Sequence, residues 1–66
     1  MDKITLAALR VNAGYSQEFV AKHCEVDPST VRNWEKGITF PNQPKIELLC
    51  QLYGVKYDNI NFKAPK

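Results

Sequence analysis

The stretch that decides the fold is Asp-Pro-Ser-Thr-Val-Arg-Asn-Trp-Glu-Lys-Gly, residues 27–37. Asp27 belongs to the residue types that favour the N-terminal cap of a helix. Pro28 suits the first helical position, because the N–H that proline lacks would be unpaired there in any case. Gly37 follows as a natural helix stop. The stretch therefore predicts a helix over 28–36.

The two faces of this predicted helix separate apolar from polar residues. Val31 and Trp34 are three positions apart and so share one side, which we expect to be buried. The outward side carries side chains that suit base edges in DNA, since Arg pairs with guanine and Asn with adenine. These outward residues are Ser29, Arg32, Asn33 and Lys36. A polar face is equally typical of any solvated helix, so the residue types alone leave a DNA role open.

On either side of this stretch, glycine, proline and capping residues divide the chain into further short helices. The predicted segments are 5–13, 16–24 with Ser16 as its cap, 43–53, and a last turn or helix over 57–62. Their expected inward residues are Leu6, Leu9, Ala13, Val20, Ala21, Cys24, Ile46, Leu49, Cys50, Tyr53, Val55 and Ile60. The predicted fold class is all-α, a compact bundle of about five short helices.

Length and composition limit the possible functions. Sixty-six residues with 44% hydrophobic and 24% charged side chains suit one small globular domain. We assign that domain to residues 1–62, with 63–66 as a flexible C-terminal tail or the start of a linker. The net charge of +2 only slightly favours an anionic partner. No apolar run approaches the roughly 20 residues of a membrane span, and no secretory signal is evident, so we expect a cytoplasmic protein without a membrane partner.

The chemistry-bearing residues do not predict an enzyme. Cys24 and Cys50 lie at helical spacing among apolar residues, which indicates reduced, buried thiols. With His23 as the single histidine, no metal-ligand spacing and no nucleophile-and-base set is recognisable. We therefore expect no catalysis, no metal and no cofactor.

Three short motifs resemble the phage-repressor and Cro-like (Xre-type) helix-turn-helix domain family. They are Ser16-Gln17 opening the second helix, Trp34-Glu35-Lys36-Gly37 closing the third, and Gly54-Val55 after the fourth. The resemblance covers about residues 6–60. It implies a lambda-repressor-like domain in which helix 28–36 lies in the DNA major groove and the second helix crosses the phosphate backbone.

The resemblance also implies roles for individual residues. Base reading is expected from Gln17, Ser29, Arg32 and Asn33. Phosphate contacts are expected from Ser16, Lys36, Thr39 and Asn42, although Lys36 also fits a solvated charge and Asn42 a plain helix cap. A structural ion pair is expected between Arg10 and Glu35. A dimer contact is expected at Tyr57, Ile60 and Phe62.

The sequence departs from the family pattern at two positions. Relatives often brace Gln17 against a side chain at the position of Pro28, and proline has no donor for that contact. Glu25 stands where the family commonly places glycine in the tight turn, and a left-handed backbone there would cost on the order of 1 kcal/mol. An adjusted turn is the alternative.

The function that the resemblance implies is a sequence-specific transcriptional regulator that binds double-stranded DNA. We expect a repressor of phage or bacterial type that binds a roughly palindromic operator as a homodimer. The alternative is a protein-interaction module on the same scaffold, such as an antirepressor or an assembly subunit. The low net charge and Pro28 favour this alternative.

Overall fold

The computed structural model describes residues 3–62, so the predicted tail at 63–66 and the first two residues lie outside the described residues. Over residues 3–62 the chain forms four α-helices. They are α1 (Leu6–Ala13), α2 (Gln17–Cys24), α3 (Pro28–Lys36) and α4 (Gln43–Tyr53). A single 3-10 turn, Tyr57–Asn59, occupies the place of the predicted fifth helix. The prediction of a compact, all-α fold is confirmed.

One pairing was not predicted. The two-residue strands β1 (Ile4–Thr5) and β2 (Ile60–Asn61) pair in parallel, with Ile4 opposite Ile60. This pairing joins the segment before α1 to the segment after α4. The two ends of the domain are therefore held together by backbone hydrogen bonds as well as by the core.

Capping side chains set where the helices begin. The Thr5 hydroxyl accepts a hydrogen bond from the Ala8 N–H at 3.1 Å, and the Asn42 side-chain oxygen accepts one from the Lys45 N–H at 3.2 Å. Asp27 occupies the cap position of α3 but makes no side-chain cap hydrogen bond. The start of α3 therefore depends on the fixed backbone of Pro28 rather than on the carboxylate.

The core lies where the four helices and β2 meet. Its buried residues are Leu6, Leu9, Val20, Ala21, Cys24, Val31, Trp34, Leu49 and Ile60. Most were expected to point inward, but the prediction was wrong for Ala13, which is exposed in the last turn of α1. Ala13 has the spacing of the inward face but is the last residue of α1, next to the exposed Gly14.

Ile60 lies in the core with only 2% of its surface exposed. A side chain buried to this degree has no surface left for a second protomer, so the expected dimer contact is wrong for this residue. Both cysteines are unpaired thiols, with Cys24 buried and Cys50 half-buried. Within the described part of the chain, no helix has the length and apolarity needed to cross a membrane.

Candidate nucleic-acid interface

A tight turn joins α2 to α3 and fixes how α3 is presented. Glu25 adopts the left-handed backbone, with φ 58° and ψ 47°, and its N–H bonds back to the carbonyls of the last turn of α2. The turn thus takes the shape that glycine usually supplies, although a glutamate stands there. Among residues 3–62, Glu25 is the one non-glycine residue with a positive φ.

The outward face of α3 is polar, as its spacing predicts. Ser29, Arg32 and Lys36 are exposed, and Asn33 is half-buried. On the opposite side, Val31 and Trp34 are only 2% and 5% exposed. Because its inner face is packed, α3 presents these polar side chains from a rigid backbone, which is the arrangement needed to read base edges in a major groove.

The loop after α3 is tied to the helix at Asn33. The Asn33 carbonyl accepts hydrogen bonds from the N–H groups of Ile38, at 3.0 Å, and Thr39, at 3.4 Å. Thr39 is exposed next to the end of α3, at the position from which a phosphate contact was expected. The Asn42 side chain is exposed, and its oxygen already caps α4. An amide in that position retains N–H donors for an anion.

Sequence reasoning missed the apolar side chains in this loop. Ile38 and Phe40 are 66% and 62% exposed, on either side of Thr39. The signal was present, because two large apolar residues in a short loop between helices have little chance of reaching a core that the helices already fill. They place large apolar side chains on the surface of a loop from which only polar contacts were predicted.

The start of α2 lies beside the last turn of α3. Ser16 caps α2 by accepting a hydrogen bond from the Phe19 N–H at 3.0 Å. The Gln17 side-chain amide, Nε2, donates to Glu35 Oε1 at 3.1 Å. This contact replaces the brace that Pro28 cannot provide, and it joins the start of α2 to the last turn of α3.

Glu35 is also bound by Arg10. Arg10 Nε donates to Glu35 Oε2 at 2.7 Å, and Arg10 Nη2 donates to Oε1 at 3.3 Å, so the guanidinium grips the carboxylate with two nitrogens. This is the ion pair that the resemblance implies. Arg10 Nη1 further donates to the Tyr15 carbonyl at 2.9 Å, which no sequence signal indicated. The pair therefore links α1, the loop after it and α3.

Burial strengthens this network. The Arg10 and Glu35 side chains are only 17% and 8% exposed. The hydrogen bond with Glu35 raises the pKa of Arg10, so the guanidinium stays charged. Burial, and next the negative charge of Glu35, raise the pKa of the Tyr53 phenol on α4. Arg10 from α1, Gln17 from α2 and Tyr53 from α4 thus interact with the Glu35 carboxylate of α3.

A further contact was also missed from the sequence. Lys45 on α4 donates from Nζ to the Cys24 carbonyl at 2.6 Å. Cys24 is the last residue of α2, where helix carbonyls lack intrahelical partners and a cation is favourable. The contact fixes α4 to the end of α2 and so supports the turn that leads into α3.

Two aromatic residues lie near the C-terminal end of the described chain. Tyr57 is exposed and Phe62 is half-buried, with ring centroids 5.5 Å apart. With Ile60 in the core, these rings are what remains of the expected dimer contact. Tyr57 is 56% exposed, whereas Phe62 also packs against the core, so the exposed part of this pair is mainly the Tyr57 ring.

The paired helices α2 and α3, the tight turn between them and the polar outer face of α3 define a helix-turn-helix domain. Residues 4–60 match the family model described as a helix-turn-helix domain. The chain therefore belongs to the helix-turn-helix domain family, and this membership indicates a DNA-binding regulator. No curated protein and no solved structure shows a significant match to the chain.

Proposed function

We propose that this domain is a sequence-specific transcriptional regulator of the phage-repressor, Cro-like (Xre) type that places α3 in the major groove of double-stranded DNA. The observation that carries the proposal is the exposed polar face of α3, which lies over the buried side chains of Val31 and Trp34. Repression follows by occlusion, since a protein bound to an operator excludes other proteins from the same DNA.

In this proposal, Arg32 and Asn33 read base edges. Arg32 is fully able to reach a guanine, because its side chain is exposed on the middle turn of α3. Asn33 is half-buried, so its reach toward an adenine is shorter and requires close approach of the helix to the groove floor. Ser29, near the start of α3, adds a short donor and acceptor.

Phosphate contacts flank the reading helix. The proposed residues are Ser16, Lys36, Thr39 and Asn42. We add Gln17, from which base reading was expected, because its side chain is held at the start of α2 by the contact with Glu35. The residues at the helix starts and in the loop after α3 would offer hydroxyl, amide or backbone N–H donors to phosphate oxygens. Lys36 would add a positive charge. A second protomer, joined through Tyr57 and Phe62, would present an equivalent helix to the other half of a palindromic operator.

The test is binding to an operator selected from random duplexes, measured by fluorescence anisotropy at stated salt. Arg32→Ala should weaken operator binding by about tenfold to a hundredfold and relax the preference at one base pair. Lys36→Ala should weaken binding to all sequences alike and reduce the salt slope by about one unit. Lys56→Ala is the matched control, because Lys56 is an exposed lysine after α4.

Unchanged sequence preference in both Arg32→Ala and Asn33→Ala would remove α3 from the reading role. The second candidate function, a protein-interaction module, is favoured by the exposed apolar side chains of Ile38 and Phe40. A folded domain without salt-dependent affinity for any duplex would support that alternative.

A further inference from the structure

The Gln17 carboxamide is held by a group on another helix. Gln17 is the first residue of α2, and Glu35 lies in the last turn of α3. The amide nitrogen donates to Glu35 Oε1 at 3.1 Å, and Glu35 is itself held by Arg10 at 2.7 Å. A glutamine at a helix start would otherwise sample several rotamers, so this contact selects one orientation.

The orientation leaves a donor for DNA. A primary amide carries two N–H bonds, and the contact with Glu35 uses one of them. We propose that Glu35 is a positioning residue for DNA binding, which orients the Gln17 carboxamide so that its second N–H donates to a phosphate oxygen. The inference rests on the proposed function and adds a residue that acts through another one.

The positive charge of Arg10 allows a carboxylate to lie close to the proposed DNA-binding surface. An unpaired Glu35 next to a DNA strand would repel the phosphates. Arg10 offsets this charge through two nitrogens, at 2.7 and 3.3 Å from the carboxylate oxygens. The carboxylate can therefore orient Gln17 without a large electrostatic penalty toward DNA.

The direction in which one substitution changes DNA affinity distinguishes a positioning role from a purely electrostatic one. Glu35→Gln removes a negative charge, so a role limited to charge would make DNA binding tighter. If Glu35 positions Gln17, the same substitution weakens binding by about threefold to tenfold, because a glutamine keeps only one acceptor oxygen. That oxygen is expected to face Arg10 Nε, the closer partner of Glu35 at 2.7 Å, so that an amide N–H₂ rather than an oxygen faces the Gln17 amide. Glu18→Gln is the matched control, since it neutralises an exposed carboxylate one residue from Gln17. It should leave binding unchanged or make it up to about threefold tighter at low salt.

The probe is a mixed-sequence duplex of about 20 base pairs, because a phosphate contact does not depend on sequence. Affinities are measured at a temperature where circular dichroism shows each variant to be folded. Gln17→Met should weaken binding by about tenfold, and Gln51→Met, on the exposed side of α4, should have no effect. The double variant Gln17→Met/Glu35→Gln should bind like Gln17→Met alone or up to about threefold tighter, because only the charge effect of Glu35 is then left to lose.

A second variant leaves the ion pair untouched. Gln17→Asn keeps the amide but shortens it, so that it no longer spans the distance to Glu35 and a phosphate together, and it should weaken binding about as much as Gln17→Met. Three results would overturn the inference: tighter binding by Glu35→Gln, losses that multiply in the double variant, or unchanged binding by Gln17→Asn. If the unmodified domain shows no salt-dependent affinity for the duplex, the proposed function itself fails, and the inference fails with it.

Discussion

The strained turn between α2 and α3 permits a sharp prediction about stability. Glu25 has φ 58°, in the left-handed region that residues other than glycine rarely adopt. Its backbone N–H is nevertheless needed, because it bonds to the carbonyls of Ala21 and Lys22. Glu25→Gly keeps this hydrogen bond and removes the side chain that causes the strain.

The expected gain follows from three terms. A left-handed backbone costs a residue other than glycine about 1–2 kcal/mol. Glycine loses about 0.5–1 kcal/mol more conformational entropy on folding, which opposes the gain. Removing an exposed carboxylate from the C-terminal end of α2 adds about 0.3–1 kcal/mol, because the helix dipole is negative there. The free energy of unfolding should rise by about 1 kcal/mol, which corresponds to about 4–8 °C in Tm for a domain of this size.

The assay is thermal and urea unfolding followed by circular dichroism, with Glu25→Gln as the control for charge. Gly14→Ala and Gly54→Ala provide the reverse test, since these glycines have φ +79° and +66° and nothing within 4 Å of an added Cβ. Each should lower the free energy of unfolding by about 1 kcal/mol from backbone strain alone. A loss of stability in Glu25→Gly, or the whole gain appearing already in Glu25→Gln, would refute the reasoning.

Three further predictions concern the supports of the site. Lys45→Met should lower the free energy of unfolding by about 1 kcal/mol in urea, because it removes the cation that binds the Cys24 carbonyl at 2.6 Å. Leu49→Ala should cost about 2–5 kcal/mol, since Leu49 is 2% exposed, and this loss is large enough to unfold a marginally stable small domain. Burial and Glu35 raise the pKa of Tyr53, so the folded state holds its proton longer than the unfolded state. Stability should therefore fall as the pH rises above about 10, and Tyr53→Phe should abolish that part of the fall.

Each of these has a control and a contradicting result. Lys22→Met, at an exposed lysine of α2, should change stability little, and an equal loss in both lysine variants would contradict the role of Lys45. If Leu49→Ala unfolds cooperatively and loses less than about 1 kcal/mol in the free energy of unfolding, Leu49 is not a central core residue. An alkaline decline of the same size in Tyr53→Phe and the unmodified domain would show that Tyr53 does not cause it.

Most of the helical framework could be predicted because local signals encode it. Pro28 and Gly37 mark the two ends of α3 through backbone geometry alone, and α3 spans Pro28–Lys36 as expected. The outward position of Arg32 followed from rotation by 100° per residue away from Val31 and Trp34. Such signals depend on neighbours in the chain and need no knowledge of the tertiary fold.

The pairing of Ile4 with Ile60 could not be predicted in the same way. Strands of two residues are too short to show an alternating pattern, and their partners lie at opposite ends of the domain. The placement of Ile60 depended on this pairing. The sequence predicted Ile60 both as an inward residue and as part of a dimer contact, and the fold selects the first by placing it in the core.

The candidate site also combines features that local signals predict with contacts that depend on the tertiary fold. Residue types and spacing indicated the polar face of α3, but the contact between Gln17 and Glu35 joins residues 18 positions apart on different helices. The contact of Lys45 with the Cys24 carbonyl spans 21 positions and involves a backbone atom, which carries no residue-specific signal. Contacts of this kind depend on how helices cross, which local patterns of capping and spacing do not reveal.

The central claim is that α3 is the surface that meets DNA. The most direct test is an amide NMR titration of the isotope-labelled domain with an operator duplex selected from random sequences. We predict that the largest shifts lie in residues 29–36, the start of α2 and the loop after α3, with small shifts around Val11 on the exposed side of α1. Shifts confined to the region of Tyr57 and Phe62, or none at any salt concentration, would contradict it.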